Sequence, residues 1–301
     1  MSLSETRIKI PQGIRFPLTD KVHQLVIEGI ARNLPGFIES IPIEFTPTFA
    51  DEYQKKAREL SFNFRPVIVA SHTSHMDGAP LASVVKTITD FNNLYSPKNP
   101  LKGFFVPIAS SMETGHQGNT VKEGLEKMKQ IIESYYHLGI VSYTRDKDQR
   151  NYGLSKNTMR YILELTKRIK AGQGLAVFPE ATMQGGRVQE KTLFGKDKRF
   201  GMQEFKNLQD IAEVIQRLGF QPLIIPVGIN GGYQLENPDN NRFTKEFLAE
   251  IFLTRPTTTN LINAKVGNPV TLNEIAQEDI NHFLGKMVAR LLPQEARGVY
   301  T

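Results

Sequence analysis

The chain has no cysteine. That absence excludes a disulfide scaffold, thiolate metal sites and a cysteine nucleophile, and it fits a reducing compartment. Long apolar runs are missing too: no stretch reaches the roughly 18 residues that a membrane-spanning helix needs. Apolar stretches such as Pro66–Ala70 and Pro222–Ile229 have the length of buried strands. No apolar core follows the charges of Met1–Arg7, so a signal peptide is not expected. No Lys/Arg stripe with interleaved aromatics is present, which argues against nucleic acid as a partner. Glycine (23) and proline (17) are too few for a low-complexity or collagen-like chain, and no Pro- or Ser-rich linker divides it.

What is there points to a folded protein. In 301 residues, 40% are hydrophobic and 23% charged, enough apolar material for a large core. Lys plus Arg (37) exceeds Asp plus Glu (31), giving +6, and this balance favours anionic partners: phosphorylated substrates, acidic carrier proteins or acidic lipid touched from the side.

Short apolar runs alternate with helical patterns from about residue 60 onward. Strands are expected at Pro66–Ala70, Gly103–Pro107, Gly139–Tyr143, Gly174–Phe178, Pro222–Gly228 and Asn263–Gly267, each bounded by Gly, Pro or polar residues. Helical spacing marks Ala79–Thr89, Thr120–Tyr136, Ser155–Ala171, Met202–Leu218 and Leu272–Leu292. In the third window Met159, Ile162, Leu163, Leu165 and Ile169 are expected largely on one face. The alternation predicts an α/β fold: a mainly parallel central sheet flanked by helices on both faces. Residues 14–38 place Ile14, Leu18, Val22, Leu25, Val26, Ile30 and Leu34 at helical spacing. The expected division is therefore an N-terminal helical cap over 1–60, packed on an α/β main domain over 61–301. Residues 183–206, rich in Gly and Lys, read as a long loop over the sheet edge.

The chemistry gathers where strands end. Val69-Ala-Ser-His-Thr-Ser-His-Met-Asp-Gly78 runs from a buried strand into a helix, the place where open α/β sheets put their ligands. In such a turn Asp77 can accept from one ring nitrogen of His72 and leave the other to take a proton from a substrate hydroxyl. Two other readings stay open here: Asp77 caps the helix starting at Gly78, or it serves His75. Ser74 lacks a Gly-x-Ser-x-Gly elbow, and His72 and His75 are not the i, i+4 pair of a zinc helix. A second strand ends at Pro179-Glu-Ala-Thr182, where Glu180 can accept from a polyol hydroxyl and Thr182 can bond a phosphate, unless both cap the next helix. A third ends at Arg145, suited to a forked grip on phosphate or to an ion pair with Asp146 or Asp148.

Taken together, these segments resemble the glycerolipid acyltransferase family, which includes glycerol-3-phosphate and lysophosphatidate acyltransferases. Its His-x4-Asp block is matched by His72 and Asp77, and its Gly-then-Arg block by Gly139 and Arg145, with Ser142 for the usual aromatic. The Phe-Pro-Glu-Gly-Thr-Arg block is matched at Phe178, Pro179, Glu180 and Thr182, with Ala181 for Gly and Met183 for Arg. The apolar, Pro-containing block is matched by Ile224–Ile229. All four occur in family order across roughly residues 66–229. The long gap from His72 to Arg145 is most similar to the soluble, plastid type of glycerol-3-phosphate acyltransferase.

The resemblance implies acyl-CoA or an acyl carrier protein as donor and glycerol 3-phosphate as acceptor. It gives His72 and Asp77 the catalytic roles, Arg145 the acceptor phosphate and Glu180 the glycerol hydroxyls, with Thr182 a further substrate-binding residue. It implies no cofactor and no metal, a cytoplasmic or plastid-stromal setting, and at most peripheral membrane contact. Rival expectations are another lipid hydroxyl as acceptor, a thioesterase or esterase, and a non-catalytic lipid-binding protein.

Overall fold

Strands whose two faces are both apolar can be covered by helices from both sides, and that pattern organises this molecule. The computed structural model describes residues 20–72, 77–109, 119–143, 156–180, 202, 204–231, 262–275 and 278–300. Within them lie strands β1 (Ile43–Phe45), β2 (Phe64–Ala70), β3 (Phe104–Ala109), β4 (Leu138–Tyr143), β5 (Gly174–Val177), β6 (Gln221–Asn230), β7 (Asn263–Val266) and β8 (Val270–Thr271). The helices are α1 (Asp20–Glu39), α2 (Phe49–Glu59), α3 (Gly78–Tyr95), α4 (Asn119–Tyr136), α5 (Lys156–Lys170), α6 (Leu208–Arg217) and α7 (Ile280–Arg290), with a single helical turn at Leu272–Ile275.

The sheet order is β1-β7-β6-β2-β5-β3-β4, and β8 also pairs with β6. From β6 to β4 every neighbouring pair is parallel, whereas β7 and β8 run antiparallel to β6. The α/β reading is therefore correct, and residues 20–60 add to it: besides α1 and α2 they supply β1, which joins the sheet beside β7. Parallel register brings the carboxyl ends of β2 to β6 to one edge of the sheet.

Alternation along each strand sorts the core into two layers. Ile68 and Ala70 of β2 share one face with Phe104, Ala176, Ile225 and Val227, under α1 to α4. Val67 and Val69 share the other with Phe105, Leu175, Val177 and Ile224, under α5 to α7. Helix α1 contributes Val26, Ile30, Leu34 and Ile38 to the first layer, while Leu25 stands 53% exposed. Ile14 and Leu18 lie outside the described residues. On α5 the expected single face splits: Leu165 and Ile169 are buried, but Leu163 is 62% exposed. At 3.6 residues per turn Leu163 stands roughly 160° from Leu165, so the two cannot share a face.

Pro226, inside the central strand β6, is tolerated because of what lies beside it. Its carbonyl accepts from Gly267 N–H, so its side of β6 meets the break between β7 and β8, where a missing donor costs no rung.

Helix α2 is tied down by a buried cation. Lys56 Nζ lies 2.5 Å from Glu274 Oε1, and Glu274 Oε2 accepts from the Thr271 amide at 2.7 Å and the Thr271 hydroxyl at 3.0 Å. Partial burial alone pushes the Glu274 carboxyl up, but the bonds from Lys56 and Thr271 and the Lys56 charge outweigh it, leaving it below the usual carboxylate range. A carboxylate lowered in the folded state stabilises the fold above its unfolded pKa and ceases to do so as pH falls through the folded value. Glu274→Gln is therefore expected to lower the denaturant midpoint at pH 7, with the gap to wild type closing as pH falls toward 3. A gap independent of pH in urea melts would remove the ion pair from the account.

Candidate active site

Beyond β2 the ladder to β6 is completed by a side chain. The Ser71 amide donates to Val227 O at 3.1 Å; its hydroxyl donates to Ile229 O at 3.1 Å and accepts from Ile229 N–H at 2.8 Å. Ser71 is fully buried, so the hydroxyl substitutes for a backbone partner at the end of the β2–β6 ladder. This fixes the chain at the point where it leaves the sheet, one residue before His72.

His72 is then held on three sides. Its amide donates to Glu180 Oε1 at 2.7 Å, its ring stacks on Phe178 with centroids 4.3 Å apart and planes 28° apart, and Nδ1 lies 3.2 Å from Asp77 Oδ2. The Asp77 side chain is 0% exposed and that of His72 17% exposed. An ionised carboxylate only accepts, so a carboxylate at this place pairs with the Nδ1–H form of the ring. Asp77 is the ring's hydrogen-bond partner among the described residues, and that bond engages Nδ1 rather than Nε2.

This geometry bears on one of the readings that the sequence left open. Asp77 stands at the N-terminal end of α3, but its side chain makes no capping hydrogen bond and turns back to His72. The capping reading is set aside. The rival imidazole, His75, lies outside the described residues, as do Ser74, Ala181, Thr182, Met183 and Arg145.

Glu180 sits where β5 delivers it. Pro179 follows Phe178 and its carbonyl accepts from Lys206 N–H at 3.0 Å. Of the loop expected over 183–206, residues 202 and 204–206 are described, and the C-terminal turn pins them. The Tyr300 hydroxyl accepts from Phe205 N–H at 2.8 Å, Met202 N–H bonds Ala296 O, and Val299 N–H bonds Met202 O. The Tyr300 phenol is pushed up chiefly by burial, with the charges of Glu204, Glu180 and Asp279 adding to it. Its ring lies directly on Gly285, where a Cβ would occupy the same space. Gly285→Ala is expected to displace the C-terminal turn and lower stability by about 1–3 kcal/mol, read as a lower Tm.

No protein-family model matches the chain, and no curated protein matches it. The chemical reading rests on the residues themselves. Three parallel strands bring their ends to one edge: β2 delivers His72, β5 delivers Glu180, and β4 ends at Tyr143, two residues before Arg145. An imidazole steered by a buried carboxylate at such an edge is equipped to deprotonate an alcohol. Sequence reasoning missed Ser71 as the latch beneath this site and the main-chain bond made by Glu180. A serine directly between a buried strand and a candidate base was the available signal for the first.

Proposed function

We propose that the protein moves a fatty acyl group from the thioester of acyl-CoA or an acyl carrier protein to a hydroxyl of glycerol 3-phosphate, forming lysophosphatidate. The observation that carries this reading is the contact between His72 Nδ1 and the buried Asp77 carboxylate. The family-ordered blocks from His72 to Ile229 supply the substrate class.

His72 Nε2 takes the proton of the acceptor hydroxyl as its oxygen attacks the thioester carbonyl. Asp77 holds the ring in the required tautomer and stabilises the imidazolium that forms. Collapse of the tetrahedral intermediate breaks the C–S bond, and the departing sulfur takes the proton back from the imidazolium. The enzyme ends as it began, with an ester and a free thiol as products. Arg145 grips the acceptor phosphate, and Thr182 contributes to the same end of the acceptor. Among the described residues no helix is long and apolar enough to cross a membrane. Contact with a lipid product surface in this scheme is peripheral.

Ala181 and Met183 depart from the family block and favour a second reading, in which the acceptor is a lysophospholipid or another lipid hydroxyl. Labelled acyl-CoA or acyl carrier protein, incubated with a panel of glycerol-based acceptors, separates the two. Labelled lysophosphatidate is expected with glycerol 3-phosphate. Acylation of a lysolipid alone would move the acceptor, free fatty acid formed equally without acceptor would mark a hydrolase, and binding without turnover would end the enzymatic reading. Arg145→Ala is expected to raise the KM for glycerol 3-phosphate about 10–100-fold, the worth of one charge-assisted phosphate contact, with little change in donor KM. An unchanged acceptor KM would take Arg145 out of phosphate binding.

A further inference from the structure

We infer that Glu180 acts through the main chain of His72 as a positioning residue for the general base, an inference that rests on the acyl-transfer reading. A glutamate at a sheet edge facing a polyol acceptor would be expected to keep its oxygens for the substrate. Here the residue is only 5% exposed, and one carboxylate oxygen is engaged by the His72 amide at 2.7 Å, a distance typical of a charge-assisted bond.

The bond matters because of where His72 sits in the chain. Its backbone has left the β2–β6 ladder: the last contact there is made by Ser71, through its amide to Val227 and its hydroxyl to Ile229. The amide of the next residue would be an orphan donor at the mouth of the site, free to turn the peptide and swing the ring. Glu180 takes that donor from the opposite neighbour, β5. The peptide is thus fixed between β6 and β5, on the two sides of β2.

The same segment supplies a second constraint. Phe178, two residues before Glu180, covers one face of the imidazole at 4.3 Å, while Asp77 holds Nδ1. Main chain and ring face are restrained from the end of β5 and the ring nitrogen from the start of α3, which leaves little freedom in the direction of Nε2. Near-attack geometry tolerates little error, since a displacement of about 1 Å can cost on the order of 100-fold in rate. Pro179 makes the grip rigid: its ring fixes φ, and its carbonyl is tied to Lys206.

Steady-state kinetics with acyl-CoA and glycerol 3-phosphate test the inference together with an amide NMR spectrum of the free protein. Glu180→Ala is expected to lower kcat about 100-fold with both KM values within about threefold of wild type. Glu180→Gln keeps an acceptor oxygen and is expected to lose no more than about tenfold. Thermal unfolding should stay cooperative in the Gln variant, so that a damaged fold is told apart from a misdirected base. The His72 amide proton, shifted downfield in wild type by the carboxylate, should move upfield in Glu180→Gln and further in Glu180→Ala. A raised acceptor KM with unchanged kcat would overturn the inference and make Glu180 a direct acceptor contact. An unmoved His72 amide signal would overturn it as well. Should the wild-type protein transfer no acyl group, the functional reading fails while the NMR arm still decides whether Glu180 holds His72.

Discussion

Replacing His72 with alanine is expected to abolish acyl transfer while leaving the fold in place. A positioned general base contributes about 10²–10⁴-fold by itself, and the proton it carries must also reach the departing sulfur, so two steps lose their carrier. A residual rate below about one-thousandth of wild type is the expected result, measured as labelled product per mole of enzyme. The fold survives because the ring stands at the sheet edge, outside both apolar layers. What is lost is the stack on Phe178 and the bond to Asp77. Removing one hydrogen bond from a buried carboxylate costs about 1–3 kcal/mol, against the ~5–15 kcal/mol total typical of a folded domain. A near wild-type rate in the variant would hand the chemistry to His75 or end the mechanism.

The sheet was legible in the sequence because a strand buried on both faces must be apolar throughout. Val67-Ile-Val-Ala70 and Leu223-Ile-Ile-Pro-Val-Gly-Ile229 can scarcely be anything else. Elements that depend on partners rather than on pattern were not legible. Helix α2 has Phe49, Tyr53 and Ala57 as its buried stripe among mostly charged neighbours, and it is held by contacts distant in sequence. Tyr53 donates to Asn92 at 2.8 Å, and burial pushes its phenol far above the ordinary range. Strands β1 and β8 are three and two residues long, too short for periodicity to register, and exist because β7 and β6 offer them edges.

The site divides in the same way. His72 and Asp77 were legible as a spacing, since a five-residue separation can close only in a turn and a strand-to-helix turn stands there. The bond from the His72 amide to Glu180 was not legible, because main-chain donors leave no mark in residue identity and the partners are 108 positions apart. Ser71 falls between: its residue type permits the latch, but the register of β6 that gives it Ile229 is a property of the sheet.

Asp77→Asn separates orientation from chemistry most sharply. The amide is nearly the same size as the carboxylate and fits the same fully buried space, so α3 and the turn before it are expected to persist. Its polarity is not the same. A carboxylate accepts from Nδ1–H, whereas an Asn nitrogen turned toward the ring donates, and then Nδ1 must be the acceptor and Nε2 must carry the proton. A ring protonated at Nε2 cannot take a proton from the acceptor hydroxyl, and the imidazolium that forms in transfer loses its buried counter-charge. In enzymes built on an Asp-oriented histidine, this exchange costs about 10⁴-fold in kcat, and a fall of about 10³–10⁴-fold with KM values little changed is expected here. The comparison with His72→Ala carries its own test. If the two residues act as one unit, the double variant is expected to be no slower than His72→Ala alone, because Asp77 has nothing left to orient. A double variant slower by the product of the single effects would mean that Asp77 serves another group, and the pairing of this carboxylate with this imidazole would be incidental to the reaction.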